Sequence, residues 1–271
     1  MTGALIDRSF AVLELLARHP EGVGVTTIAG RLEIPASATH RLLSDLVRLG
    51  YVRQEKASSA YALTPKILSL SYAWFGERGA AATVQPALDH LARVSGELVR
   101  CAVVAHERLA WVAAAQGTRF GLRLEPDMGA EIPLYCTAAG YAWLASLSDE
   151  DALQLIMRQG FGRLVDDGPG APRTIDALQN QLRQTRSRGW ARAVESAAVG
   201  TSSLAVPVRD LATQAVWGIL DISGPTARLG EARVTELSSA LLAASANIAP
   251  LTSWAEASRV LQPRPTVPKQ L

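Results

Sequence analysis

One short stretch of the chain carries side chains suited to binding nucleic acid. At helical spacing its polar residues supply hydroxyls, an imidazole and two guanidinium groups: Ser37, Thr39, His40, Arg41, Ser44 and Arg48. An arginine fork can bond both major-groove acceptors of guanine, whereas a phosphate contact adds affinity without reading sequence. We predict that Arg41 contributes most to affinity or base reading. Phosphate contacts are predicted for Arg48, Arg53 and Lys56. A structural salt bridge from Arg41 to Asp45, one turn later, is the alternative.

The apolar residues of the same stretch predict two helices that would present these groups. Thr26 or Thr27 can cap the first helix. Pro35 cannot continue that helix but can start another, and Gly50 suits the left-handed end of the second. The first helix has the apolar stripe Ile28, Ala29 and Leu32. The second has Leu42, Leu46 and Leu49 at i, i+4 and i+7, widened by Leu43 and Val47.

Two strand-like runs follow the second helix. They cover residues 51–53 and 61–63 and flank a polar tip that contains Lys56. A short helix, a tight turn, a second helix with a basic outer face and such a hairpin are the parts of a winged helix-turn-helix. An ordinary helical hairpin with a solvated face is the alternative, because helix-turn-helix patterns have many false matches.

Catalytic chemistry has less support in the sequence. The four histidines fall on separate elements, and there is no Gly-x-Ser-x-Gly elbow or phosphate-binding glycine loop. Cys136 is the best candidate nucleophile, although a small buried residue at a helix start is the commoner role of such a cysteine. Neither Cys101 nor Cys136 has a Cys or His partner at metal-ligand spacing. We therefore expect no catalytic residue, no metal and no cofactor.

Composition is that of a soluble globular protein of two ordinary domains. Apolar residues make up 48% and charged residues 19% of the 271 positions. Residues 1–79 hold nine Lys and Arg against seven Asp and Glu, whereas the remainder holds 18 of each. The small basic surplus therefore lies with the predicted DNA-binding stretch. There is no signal peptide and no apolar run of about 20 residues, so we expect a cytoplasmic protein without a membrane partner.

The rest of the chain alternates helices and strands. Residues 65–75 predict a helix that is apolar on more than one side, so we expect a second chain to cover it in a homodimer or tetramer. A hinge over 76–82, a helix over 86–96 and a strand over 119–124 are predicted next. Helices and strands in this order are typical of an α+β domain built on an antiparallel sheet. The first helix of the chain has the predicted apolar face Phe10, Leu13, Leu16 and Ala17.

Several runs together resemble one known family. They are DRSFAVLELLA, IPASATHRLLSDL, GYVRQ and YALTPKILSL near the start, then IPLYCTAAGYAWLA, RSRGWARAVESAAVG, LAVPVRD and WGILDISGP. With them the chain resembles the isocitrate lyase regulator (IclR) family of bacterial transcription factors. The resemblance implies a DNA-binding regulator that responds to a small effector, with a linker helix that helps hold two DNA-binding domains in a dimer. The dimer expected from residues 65–75 in turn predicts a roughly palindromic operator in double-stranded DNA. An enzyme or metabolite-binding protein that keeps the winged domain as an interaction module is the alternative.

The resemblance also implies a division of the chain. A winged helix-turn-helix would occupy residues 1–64, a linker helix 65–79 and a GAF-like effector-binding domain 80–252. A flexible tail would occupy 253–271.

A pocket for the effector follows from the resemblance as well. Carried over position by position, it comprises Leu122 and Leu124 as apolar wall, Ala138 and Ala139 beside the ligand, and Ala193, Ser203, Asp221 and Ser223 as polar contacts. Ala193 stands where an acid is common, Ser203 where cysteine is common, and Asp221 where a small polar residue is common. The pocket chemistry therefore differs from the usual one. That Asp221 merely ends a strand is the alternative.

Asp221 leads to a prediction about the effector. A carboxylate beside it would meet like charge at low dielectric unless Asp221 were protonated or paired. Arg119 and Arg123 are the candidate partners. We expect a small, mostly apolar or aromatic metabolite with a hydroxyl, amine or amide that bonds Asp221 and Ser223. A small carboxylate is the alternative, because sensors of the resembled family often bind such acids.

Overall fold

The computed structural model describes residues 5–55, 58–67, 69–70, 80–105, 107–126, 128, 132–162 and 167–250. It divides into two compact units, Met1–Glu77 and Arg78–Leu271. The domain boundaries drawn from the sequence stay predictions, and the tail predicted over 253–271 lies outside the described residues. Among the described helices, none combines the length and apolarity needed to cross a bilayer.

The first unit consists of three helices followed by a two-stranded hairpin. Its elements are α1 (Leu5–Ala17), α2 (Val25–Leu32), α3 (Ala36–Arg48), β1 (Val52–Gln54) and β2 (Tyr61–Leu63). The strands pair antiparallel with Val52 opposite Leu63. Side chains from all three helices and the hairpin form one apolar core, whose members include Val12, Leu16, Ile28, Leu43 and Val52. The predicted winged helix-turn-helix fold is confirmed.

The predictions for the face of α1 and the cap of α2 need correction. The inner face of α1 is formed by Val12 and Leu16, whereas Phe10 is 60% exposed. Leu16 and the partly buried Leu13 pack on the core as predicted, whereas the predicted Phe10 and Ala17 are exposed. Neither Thr26 nor Thr27 caps α2, because the helix begins one residue earlier and Gly24 occupies the cap position.

The second unit is an α+β domain. Its elements are α4 (Ala80–Ser95), β3 (Leu98–Ala105), β4 (Arg108–Gln116), α5 (Ala138–Leu144), α6 (Asp149–Gln159), α7 (Ile175–Arg188), β5 (Ala191–Val194), β6 (Thr201–Arg209), β7 (Val216–Pro225) and α8 (Glu231–Ile248). The strands form one antiparallel sheet in the order β4-β3-β7-β6-β5. The predicted fold class is confirmed.

Helices cover both faces of this sheet. All ten residues of the central strand β7 are buried, which requires cover on each side because successive side chains point to opposite faces. On one face, α5 packs against β5, β6 and β7. Helices α4 and α8 contact one another, with α4 on β3 and β4 and α8 on β6 and β7.

The chain between β4 and α5 departs from the prediction. Residues 119–124 do not form a strand, and Phe120 and Leu122 are 92% and 71% exposed. Apolar alternation is a weak signal over so few residues, and none of the described strands pairs with this segment. Of the predicted hinge over 76–82, residues 80–82 belong to α4, which begins at Ala80 and includes Pro86, and the rest lies outside the described residues. Most of the predicted linker helix lies outside the described residues, although residues 66, 67, 69 and 70 are helical.

Candidate nucleic-acid interface and ligand cavity

The turn between α2 and α3 is built as the sequence pattern indicates. Glu33 adopts a left-handed conformation with φ of 53° and ends α2, where its N–H donates to the carbonyl of Ala29. Pro35, with φ of −53°, stands at the start of α3. The fixed φ of proline suits this position, and the side chain of Ile34 is buried between the two helices' ends.

The outer face of α3 presents most of the predicted DNA-contacting residues. Exposed on it are Ser37, His40, Arg41, Ser44 and Arg48. The prediction that Thr39 contacts DNA is wrong, because this residue is fully buried and its hydroxyl donates to the carbonyl of Pro35 at 3.2 Å. Thr39 shares the inner face with Leu42, Leu43 and Leu46, at i, i+3, i+4 and i+7. Leu49 and Val47, which we assigned to that face, are 46% and 38% exposed.

The basic residues of this unit differ in how far their charge is already paired. Arg41 makes no hydrogen bond or ion pair with the described residues. Asp45 instead pairs with Arg48 at 3.1 Å, so the alternative salt bridge to Arg41 is wrong. Arg53 pairs with Glu55. Lys56 lies outside the described residues.

The second unit contains a cavity of about 340 Å³ above one face of the sheet. Its described lining is Arg100, Trp111, Leu124, Ile132, Pro133, Thr137, Ala139, Ala197, Thr201, Ser202, Ser203, Asp221 and Ser223. Strand pairing explains why the polar members meet, because Ser203 is opposite Ser223, and Asp221 is opposite Arg100. Side chains at such paired positions lie on the same face of a sheet.

Five of the eight predicted pocket residues line this cavity: Leu124, Ala139, Ser203, Asp221 and Ser223. The other three do not. Leu122 is exposed because its segment is not a strand, and Ala138 is fully buried in the core. Ala193 is buried on the edge strand β5 and lines a separate cleft with Tyr141 and Arg192.

Asp221 is buried and paired. Nη2 of Arg100 lies 2.8 Å from Oδ1 of Asp221, and the Oγ of Ser223 donates to the same oxygen at 2.6 Å. The predicted partners were wrong, because Arg123 pairs with Glu125 and residues 119–123 lie on no strand of the sheet. The guanidinium carbon of Arg100 also lies 4.0 Å from the centroid of the Trp111 ring.

The start of α5 forms another wall of the cavity. Thr137 caps this helix by accepting from the N–H of Gly140 at 3.0 Å, and its hydroxyl donates to the carbonyl of Pro133 at 2.6 Å. A Cβ on Gly140 would lie 2.2 Å from the carbonyl oxygen of Leu134. Glycine at position 140 therefore lets the helix lie against the preceding turn.

Two family models match this chain. One, the IclR helix-turn-helix domain, matches residues 5–56, and the other, the bacterial transcriptional regulator IclR C-terminal domain, matches residues 73–250. The chain belongs to the IclR family of bacterial transcriptional regulators. It is therefore a DNA-binding regulator with a C-terminal effector-binding domain, and the alternative of an enzyme with a borrowed winged module is not favoured.

Comparisons with individual proteins agree with this family assignment. The transcriptional repressor IclR of Escherichia coli (strain K12) is 30% identical over 246 residues, which cover 90% of this chain and 88% of that protein. An IclR transcriptional regulator from Alicyclobacillus acidocaldarius has a TM-score of 0.78 at 23% identity, covering 93% of this chain and 100% of that one. An IclR homologue from Microbacterium hydrocarbonoxydans, solved in complex with 4-hydroxybenzoate, has a TM-score of 0.74 at 19% identity and covers the same shares. The two structures establish a shared fold.

Cysteine chemistry is suppressed in this IclR-family chain. Burial raises the pKa of Cys101 to about 12. Burial, followed by the charge of Asp167, raises the pKa of Cys136 to about 12 as well. A thiol is nucleophilic as its thiolate, so neither group is activated near neutral pH. Within the described ranges, no cluster of three His, Cys, Asp or Glu residues could hold a metal ion.

Arg100 and Trp111 were not predicted from the sequence, although one signal for Arg100 was present. Arg100 is the single charged residue in the otherwise apolar strand run LVRCAVVA. A lone charge in a buried strand must find a partner, so it marks a polar site within the fold. Trp111 gave no comparable signal, because an aromatic residue in a strand is ordinary core material.

Proposed function

We propose that this regulator binds its operator as a homodimer through α3 and that a small molecule in the cavity of the second unit changes its operator affinity. The observation that carries the DNA-binding part is Arg41, an exposed guanidinium without a partner among the described residues, on the second helix of the family's helix-turn-helix. Such a fork is free to bond base edges in the major groove.

The remaining DNA contacts divide by environment. Ser37, His40 and Ser44 share the exposed face of α3 with Arg41 and would lie near the bases. The hydroxyl of Ser44 already donates to the carbonyl of His40 at 2.9 Å, so it would act as an acceptor. We assign Arg48, Arg53 and Lys56 to phosphates, where pairing of Arg48 and Arg53 with exposed acids costs little to rearrange.

The effector site is the cavity that contains Arg100 and Asp221. It combines aliphatic walls with a few convergent polar groups, as small-molecule sites usually do. The Microbacterium homologue was solved in complex with 4-hydroxybenzoate, so a protein of this fold can bind a small aromatic ligand. Leu122, Ala138 and Ala193 are left out of the proposed site.

A homodimer is supported by apolar surface on α1. Leu5, Ile6 and Phe10 are 62%, 67% and 60% exposed on one short helix. Clustered exposed apolar side chains of this kind usually mark a protein interface. A symmetric dimer would match a palindromic operator with half-sites one helical turn apart or a multiple of it. We further propose that the protein acts in the cytoplasm, without catalytic activity, cofactor or membrane partner.

A gel-shift titration with DNA from upstream of the protein's own gene tests this proposal. A regulator should shift that duplex at concentrations that leave an unrelated duplex free, at one stated salt concentration. Metabolites that raise the melting temperature are then added to the complex. Equal binding to both duplexes, or an operator affinity that no stabilising metabolite alters, would contradict the proposal.

A further inference from the structure

The described lining of the cavity carries no net charge. Its ionisable residues are Arg100 and Asp221, which have opposite charges, and the other described lining side chains are hydroxyl-bearing, aliphatic or aromatic. A ligand with a net charge would leave water for a site that cannot compensate that charge. A neutral ligand with a strong dipole avoids this cost.

The two charged groups are held in one arrangement before a ligand binds. Nε and Nη2 of Arg100 lie 3.3 and 2.8 Å from Oδ1 of Asp221, and Nη2 also donates to Ser223 at 2.9 Å. The Trp111 ring lies against the guanidinium. Because the Arg100 and Asp221 side chains are 15% and 2% exposed, water screens them little. The pair is therefore a fixed dipole in the cavity.

One edge of each charged group remains without a protein partner. In the described part of the chain, Nη1 of Arg100 donates to no acceptor, and Oδ2 of Asp221 accepts from no donor. Both residues line the cavity. A ligand that offers an acceptor to Nη1 and a donor to Oδ2 would satisfy both atoms. A carboxamide or a cyclic amide carries such an acceptor and donor side by side in one plane.

We propose that the effector is a net-neutral carboxamide or cyclic amide on a small flat apolar body, with Arg100 and Asp221 as the specificity-determining residues. The assignment rests on the proposed effector site. The body would pack against Leu124, Ile132 and Ala139 in the cavity of about 340 Å³. From Asp221 alone we expected a ligand with a hydroxyl, amine or amide. The positive charge of Arg100 now makes a cationic amine unfavourable in this cavity.

Three probes of nearly identical shape test the proposal. Benzamide, benzoate and benzamidinium carry charges of 0, −1 and +1 on the same ring. Titration calorimetry of the full chain near pH 7 should rank benzamide about tenfold or more tighter than either ion. Asp221→Asn leaves the Arg100 charge uncompensated, so benzoate should gain about tenfold. Arg100→Gln leaves the Asp221 charge, so benzamidinium should gain instead.

The double variant Arg100→Gln/Asp221→Asn is the matched control. It removes both charges, leaves no buried ion, and should keep benzamide ahead of both ions with weaker affinity. If a single variant with one unpaired buried charge fails to fold, the double variant still tests the assignment, because a benzamide affinity equal to that of the wild type would overturn it. A wild type that prefers benzoate or benzamidinium, or one that binds none of the probes at about 10 mM, overturns the assignment. Single variants that fold and rank the three probes as the wild type does also overturn it.

The outcome separates this assignment from the proposed function. If the probes show the charge pattern but no cavity ligand alters operator binding, the proposed regulation fails and the ligand class stands. If a metabolite releases the operator while the wild type and the single variants rank the probes alike, the regulation stands and the ligand class fails.

Discussion

Arg41 and Arg100 use the same guanidinium group in opposite environments. Arg41 is exposed on α3 and has no partner among the described residues, so its donors remain available to an external acceptor. Arg100 is nearly buried and its charge is offset by Asp221. Removing one partner from a buried pair costs about 3–5 kcal/mol, because the other charge is left uncompensated. In the proposed roles, Arg41 contacts DNA, whereas Arg100 both binds the effector and stabilises its domain.

Arg41→Ala should weaken operator binding without lowering the melting temperature. The loss of a base-reading fork is expected to cost roughly 1–3 kcal/mol, or about 5- to 150-fold in Kd. Anisotropy titration against the operator at fixed salt measures the change. Arg183→Ala, which removes an exposed guanidinium from α7 of the other unit, is the control and should bind as wild type does. An Arg41→Ala protein with wild-type operator affinity would refute this role.

The two thiols should be inert in the native protein. A disulfide reagent at about pH 8 is expected to label neither Cys101 nor Cys136 until urea exposes both, because burial holds each thiol in its protonated form. Unfolded thiols ionise near pH 9 and the folded ones near 12, so their contribution to stability is present below pH 9 and is lost as pH rises toward 12. Rapid labelling of either thiol in the folded protein would contradict this prediction and support a nucleophilic role for that cysteine.

At the scale of elements, a helix end was predictable where its signal is local, as for Gly50, which follows α3 with φ of 79°. The cap predicted at Thr26 or Thr27 failed, because α2 begins at Val25 after Gly24. Thr39 was not predictable in the same way. Its polar type suggested an outer position, but its hydroxyl donates to the carbonyl of Pro35 at the start of its own helix, and the residue is fully buried.

The pairing of Arg100 with Asp221 lay beyond local reasoning for a different reason. The two residues are 121 positions apart, and they meet because β3 and β7 are sheet neighbours in one register. A shift of one residue would place them on opposite faces. The family resemblance placed Asp221 in the pocket, but only the register of β3 against β7 shows that Arg100 is its partner. Residues 119–124 have an alternating, strand-like pattern, yet they form no strand. Among the described strands, none lies beside this segment to pair with it.

Gly140→Ala should damage the start of α5 and with it the cavity. The added Cβ would meet the carbonyl oxygen of Leu134 at 2.2 Å, and backbone on both sides must shift to relieve the contact. We expect a loss of about 1–3 kcal/mol in the free energy of unfolding, measured by urea denaturation, together with weaker ligand binding. Gly230→Ala at the start of α8 is the control, because nothing lies within 4 Å of its Cβ position. Equal stability of the two variants would contradict this account.

At the scale of the whole molecule, the two units divide recognition between them. The first presents α3 and its exposed basic face, and the second encloses the cavity. The family models match a helix-turn-helix domain in the first unit and the IclR C-terminal domain in the second, as the sequence resemblance implied. Coupling of the two sites is the property that makes such a chain a sensor.

The protein should be at least a dimer in solution. Light scattering at micromolar concentration is expected to give a mass of at least twice the 28.8 kDa of one chain. Phe10→Ser should shift the protein toward monomer, because it removes part of the exposed apolar surface of α1. Thr235→Ser, an exposed polar change on α8, should leave the mass unchanged. A wild-type monomer would rule out the dimer and the palindromic operator inferred from it.

The most direct test of the central claim is a measurement of reciprocal coupling. Operator Kd is measured with and without a metabolite that stabilises the protein, and metabolite Kd is measured with and without operator, at one salt concentration. Linkage requires both constants to change by the same factor, which we expect to be about 5- to 150-fold. Arg41→Ala should lose operator affinity and keep the metabolite Kd of the free wild type. A metabolite that binds with the same Kd in the presence and absence of operator would contradict the account.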